Sequence, residues 1–158
     1  GPRVVEFNCR MGDPETQPIM MRLKSDFLTL VEHAVDGTLD EVEAEWDRRA
    51  ALGIVLAAKG YPEAPQKGDE ITGLGKDEDD THVFHAGTTL EDGHTVTAGG
   101  RVLAVSALGE SFAAARDLAY DGVTKISFPG MQWRPDIAER AVTAENGETE
   151  LFPPGVLA

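Results

Sequence analysis

The chain has 158 residues, of which 41% are hydrophobic and 27% charged, the proportions of an ordinary globular protein. Its formal net charge of −14 argues against a basic nucleic-acid-binding face and against docking on anionic lipid. The single cysteine, Cys9, excludes an internal disulfide framework, and neither a membrane-length apolar run nor a signal-peptide pattern is present, so a cytoplasmic location is expected.

The stretch Val4-Val5-Glu6-Phe7-Asn8-Cys9 ends on a period-two alternation and predicts a strand. Gly12-Asp13-Pro14 breaks it, because proline lacks a donor and restricts the residue before it. Residues 18–22 read as a short helical turn. Ser25-Asp26 reads as the N-cap of a helix that puts Phe27, Leu30, Val31, Ala34 and Val35 at helical spacing, with Gly37 as its stop. An acidic connector with a short helix follows, from Leu39 to Trp46. "AALGIVLAAKGYP" at 50–62 predicts a buried strand ended by Gly60-Tyr61-Pro62. Residues 63–80 are loop-like, with a short strand expected at Ile71 and a solvated acidic run at 77–80.

"HVFHAGTTL" at 82–90 predicts one strand, and Glu91-Asp92-Gly93 a turn. "HTVTAGGRVLAVSALG" at 94–109 holds two strand pieces around Gly99-Gly100. Ser111 starts a helix whose Phe112, Ala115, Leu118, Ala119, Gly122 and Val123 share a face. A short strand at 126–128, a last helix at 134–142 and a polar, proline-containing tail complete the chain. Strands in runs, not in strict alternation with helices, predict an α+β fold. Its body, residues 48–145, is a small antiparallel β-sheet domain with one main helix packed on it. A strand–helix segment and connector (1–47) precede it and a tail (146–158) follows.

Glu6 and Asn8, two apart on a strand, would share a face. A carboxylate and an amide oxygen make a hard, oxygen-only donor pair of the kind that suits Mg²⁺. Arg10, two further on, would offer a guanidinium fork to a phosphate or carboxylate. The same pattern also fits a solvated strand face. The turn Gly12-Asp13-Pro14-Glu15 delivers two more carboxylates to the end of that strand. Gly99-Gly100-Arg101 is a second candidate: two glycines permit close backbone approach, and Arg101 either points into a cleft or is a surface residue beside a plain bulge. His85 reads as a buried, hydrogen-bonded histidine in preference to a substrate contact. Cys9 would face away from the site into the core, and Trp46 and Trp133 need no functional role.

"VVEFNCRMGDPETQPIMMRLKSD" resembles the end of the ATP-grasp domain of the phosphoribosylamine–glycine ligase (glycinamide ribonucleotide synthetase) family. That family's R-F-G-D-P-E stretch followed by T-Q stands here as Arg10-Met11-Gly12-Asp13-Pro14-Glu15-Thr16-Gln17, with Met11 for the usual Phe. "EWDRRAALGIVLAAKGYP", "VFHAGT", "GGRVLAVSALG" and "AYDGVTKISFPGMQWRPDIAERA" resemble its C-terminal domain, so the likeness covers residues 2–141.

The resemblance implies a ligase of purine biosynthesis with ATP, glycine and phosphoribosylamine as substrates. ATP would phosphorylate the glycine carboxylate, and the amine would displace phosphate from the glycyl phosphate. It further implies Mg²⁺ or Mn²⁺ on Glu6 and Asn8, and a charge-neutralising role for Arg10. Asp13 and Glu15 would meet the glycine ammonium or order the turn, and Arg101 would face substrate. The family's N-terminal domain and most of its ATP-grasp domain are expected upstream of Gly1. The 158 residues alone are therefore expected to be inactive, with Phe7, Ile19 and Leu23 facing water or covered by a partner. The alternative from another class is a non-catalytic interaction or assembly module.

Overall fold

The computed structural model describes residues 3–7, 9–75 and 78–147. In chain order the elements are helices α1 (Thr16–Arg22) and α2 (Phe27–Asp36), a 3-10 turn (Leu39–Glu41), strands β1 (Ala50–Ala57), β2 (Thr81–His85), β3 (Thr88–Glu91), β4 (His94–Thr97) and β5 (Arg101–Gly109), and helices α3 (Phe112–Lys125) and α4 (Glu139–Glu145). The architecture is α+β, as the order of elements predicts. The main sheet runs β1-β5-β2 with both pairings antiparallel, and β3-β4 is a separate hairpin.

β5 is the centre. Every residue after Arg101 is buried, a run that is apolar except for Ser106, of the kind carried by a strand covered on both faces. On one face Ile54, Val105 and Val83 lie in register across the three strands, under Ala119 and Val123 of α3. The helix comes so close that a Cβ on Gly122 would stand 2.8 Å from Val105 Cγ1. The opposite face belongs to α1: Gly53 pairs with Ser106, and a Cβ there would lie 3.1 Å from Pro18 Cγ. Ile19 and Leu23 are accordingly half-buried, not turned to water as expected.

The helix ends follow their signals. Asp26 accepts from Thr29 N–H at 2.8 Å, and Gly37 closes α2 with φ +73°. Ser111 accepts from Ala114 N–H at 3.0 Å, and the Glu145 carboxylate from α4 accepts from Phe112 N–H, bringing negative charge to the start of α3.

Several expectations fail for physical reasons. Residues 3–7 and 9 form no strand. Val5 and Phe7 are 96% and 83% exposed, and Cys9 is exposed instead of in the core. The run at 82–90 is two strands. The chain turns at Ala86-Gly87, where Gly87 N–H donates to Arg101 O at 2.9 Å and a Cβ would lie 2.6 Å from that oxygen, so β3 leaves the main sheet. The last helix starts at Glu139, not at 134. Side chains of α3 take up the backbone groups of the preceding segment: Tyr120 Oη donates to Arg134 O and accepts from Ile137 N–H, while Arg116 donates to Pro135 O and Ile137 O. The acidic run is largely exposed where it is described, as expected, and two of its carboxylates find partners. Glu78 pairs with Lys125 at 2.9 Å and Asp80 with Arg49 at 2.6 Å.

Arg49 also holds Asp47, joining the connector to the start of β1. Its hydrogen bonds lower the Asp47 pKa from 3.8 to about 2. A depressed carboxylate stabilises the fold above its unfolded pKa, and that contribution disappears as pH falls through the folded value. Acid unfolding monitored by circular dichroism should therefore show stability falling between pH 3.8 and about 2, and Asp47→Asn should flatten that fall. In the core, Leu103→Ala removes a fully buried side chain beneath α3. A loss of about 2–5 kcal/mol in urea-unfolding free energy is expected.

Candidate functional site

The turn at residues 12–16 launches α1 and is held by its own side chains. Gly12 N–H donates to Glu15 Oε1 at 3.0 Å, and Thr16 donates to Gly12 O through both its backbone N–H and its hydroxyl. A Cβ on Gly12 would lie 2.4 Å from Glu15 Cδ, so the carboxylate occupies the space that a side chain would take. Glu15 thus orders the turn.

Asp13 points to a residue 88 positions away. Arg101 Nη1 donates to Asp13 O at 3.0 Å and stands 3.2 Å from Asp13 Oδ2, while Arg101 Nε donates to Tyr61 Oη at 3.1 Å. The Tyr61 hydroxyl and then the Asp13 charge push the Arg101 pKa up from its ordinary value. Two candidates that the sequence leaves separate, the motif turn and Gly99-Gly100-Arg101, meet here.

The reason is a bulge. Leu56 pairs with Leu103, but Ala57 pairs with Arg101, so Val102 is an extra residue in β5. Without it, alternation would put Arg101 on the face of Leu103 and Val105, beneath α3. The bulge turns it to the face of Ala57 and α1. Gly100 makes room for the partner: a Cβ there would lie 2.4 Å from Tyr61 Cδ2.

Arg101 lines a cleft of about 410 Å³ together with Val55, Ala57, Tyr61, Gln132, Trp133 and Arg134. That is the size and chemistry of a small-molecule pocket, with an apolar floor and a few polar groups at its rim. Gln132 is fixed by paired backbone hydrogen bonds with Ala57, at 2.8 and 3.0 Å. Arg134 pairs with Asp136, which raises the guanidinium pKa and lowers that of the carboxyl. The sequence reading passes over Tyr61, Gln132, Trp133 and Arg134. The available signals were an amide, an indole and a guanidinium in a row after Gly130, and a tyrosine set between Gly60 and Pro62.

The remaining candidates lie apart from the cleft lining. Arg10 is exposed, with Nη1 donating to Met11 O at 3.2 Å. Glu6 is exposed on the strandless segment, so strand alternation does not place it on a common face with Arg10. Asn8 lies outside the described residues. His85 is exposed, not buried, with Nδ1 3.0 Å from Thr88 Oγ1. Among the described residues no group of three or more His, Cys, Asp or Glu side chains is placed to hold a metal ion, and no helix is long and apolar enough to cross a membrane.

Comparison with known proteins identifies the domain that carries this cleft. The family described as phosphoribosylglycinamide synthetase, C domain, matches residues 51–140. The chain belongs to that family. Similar relatives extend the likeness beyond these residues. The phosphoribosylamine–glycine ligase of Ralstonia nicotianae is 55% identical over 141 residues, covering 89% of this chain and 33% of the relative. That of Neisseria meningitidis serogroup A is 57% identical over 142 residues, covering 89% and 34%. The crystal structure of phosphoribosylamine–glycine ligase from Thermotoga maritima superimposes with a TM-score of 0.71 at 40% identity, over 85% of this chain and 33% of that one. This C-domain chain therefore spans about a third of the length of the curated relatives it matches.

Gly100→Val should displace the Tyr61 ring and break its hydrogen bond with Arg101. Overpacking of this kind is expected to destabilise by about 1–3 kcal/mol. The check is an altered Tyr61 ring resonance in the NMR spectrum together with a lower urea midpoint.

Proposed function

We propose that this chain forms the C-terminal third of a phosphoribosylamine–glycine ligase, an ATP-dependent enzyme of purine biosynthesis that joins glycine to phosphoribosylamine. The observation that carries the reading is identity of 55–57% to ligases of that name over 89% of the chain. The missing partner on this reading is the N-terminal part of the same enzyme, and the location is the cytoplasm.

The overall reaction is a phosphoryl transfer followed by an acyl transfer. The glycine carboxylate takes the terminal phosphoryl group of ATP, releasing ADP, and the amine of phosphoribosylamine then attacks the glycyl carbon and expels phosphate. Catalysis of this kind rests on positioning and on neutralising charge. Arg10 carries a permanently charged guanidinium on the exposed segment before the motif turn and is the residue assigned to the charge of the transferred phosphoryl group or the acyl phosphate. Glu15 holds the turn through Gly12 N–H. Asp13 and Arg101 form the substrate-facing wall beside the cleft.

Glu6 and Asn8 are the residues assigned to Mg²⁺ or Mn²⁺. Glu6 offers one solvent-exposed carboxylate, and no cluster of three or more acidic or His/Cys ligands is assembled among the described residues. Such a donor set fits a cation that draws its other ligands from water and nucleotide phosphates, as Mg²⁺ does, and not one held by protein alone. When bound, the ion would neutralise phosphate charge.

The test uses the longer ligase that contains this segment. Glu6→Ala is expected to weaken Mg²⁺·ATP binding several-fold or more, measured by titration calorimetry, while the 158-residue chain alone shows no glycine-dependent ATP turnover. Unchanged affinity in the Glu6 variant would favour the non-catalytic module, and turnover by the isolated chain would refute the assignment of the activity to the longer protein.

A further inference from the structure

Arg101 sits where two parts of the molecule meet. It stands at the first position of β5, in the central strand, and the bulge at Val102 turns it out of the α3 face toward α1. From there it grips the motif turn at both the main-chain oxygen and the carboxylate of Asp13, with Tyr61 Oη fixing its Nε side. Tyr61 in turn lies against Gly100, so the guanidinium is aimed from two directions. The ion pair itself is open to solvent, with side-chain exposures of 41% and 64%, and pairs of that kind contribute little to folding stability. The elaborate geometry is therefore out of proportion to any stabilising role. What it does set is the position of a rigid turn, locked internally by Glu15 and Thr16, relative to the cleft that Arg101 also lines.

We propose that Arg101 is a positioning residue that acts through Asp13, latching the turn of residues 12–16 to the rigid sheet so that the turn keeps one position beside the cleft. This inference rests on the reading of that turn as part of the ligase site. It differs from direct substrate contact by Arg101, because the latch acts through Asp13. Losing Arg101 frees the turn from both contacts, whereas Asp13→Asn removes the ion pair and keeps the main-chain contact, so adding Asp13→Asn to Arg101→Gln changes nothing further.

The test is a double-mutant cycle of Asp13→Asn and Arg101→Gln in the longer ligase, with a second readout in the present chain. In the ligase, Arg101→Gln should lower kcat on the order of tenfold, Asp13→Asn should lower it by a smaller factor, and the double variant should be no worse than Arg101→Gln alone. The KM values for ATP, glycine and phosphoribosylamine should change little, and the thermal midpoint should stay close to that of the unsubstituted enzyme. In the 158-residue chain, Arg101→Gln should shift the amide NMR resonances of Gly12 and Thr16 while leaving those of α3 in place. The latch is overturned if Asp13→Asn leaves kcat intact while Arg101→Gln raises the KM of one substrate, if the two losses multiply, or if the Gly12 and Thr16 amides do not move. Failure of the functional reading looks different: the unsubstituted longer protein then lacks glycine- and phosphoribosylamine-dependent ATP turnover, and the NMR shifts still decide the latch.

Discussion

The structure depends on one strand being paired on both edges and covered on both faces. β5 supplies the ladder for β1 and β2, the floor for α3 on one side and the support for α1 on the other. Burying Leu103, Val105 and Ala107 beneath the long helix removes a large apolar area from water, and that burial is the dominant favourable contribution to folding. Strands β1 and β2 and helices α1 and α3 pack directly against this strand. The β3-β4 hairpin stands off at the Ala86-Gly87 turn, and α4 reaches back to the start of α3 through Glu145.

The same strand also creates the functional geometry. A regular β5 would bury Arg101 under α3, where an unpaired guanidinium would be heavily penalised. One extra residue, Val102, reverses the alternation at its end and delivers the charge to the cleft side. The motif turn then has a fixed counterpart. Asp13 and Arg101, 88 residues apart, are neighbours because α1 and the bulged end of β5 share one face of the sheet. A cleft of about 410 Å³ forms alongside, with Trp133 and Arg134 brought in by the backbone pairing of Gln132 with Ala57.

The C domain and the turn at residues 12–16 in front of it are physically continuous. α1 is not a loose appendage, because Pro18 rests on Gly53 and Ile19 and Leu23 are half-buried. Exposed apolar residues flank it, among them Val4, Val5 and Phe7 before it and Phe27, Leu28 and Val35 along α2.

Local chemistry made much of this legible before any coordinates. Helix α3 follows from Ser111 and a 3.6-residue apolar stripe, α2 from Asp26 and Gly37, and β1 and β5 from unbroken apolar runs bounded by glycine. The motif residues announced the family by their identity and order. What stayed hidden depends on partners distant in sequence. Whether Val4–Phe7 extends as a strand depends on a neighbouring edge to pair with, where the 134–137 segment ends depends on Tyr120 and Arg116 taking its backbone groups, and which way Arg101 points depends on a single inserted residue. The sequence by itself determined the capped helices α2 and α3, the apolar strands β1 and β5, the family and the candidate residues, because propensity, capping and motif identity are local. Only the tertiary structure decided the facing of Arg101, its union with Asp13 and the cleft around Trp133, because each requires two surfaces to meet and the long-range pairings of β5 determine which ones do.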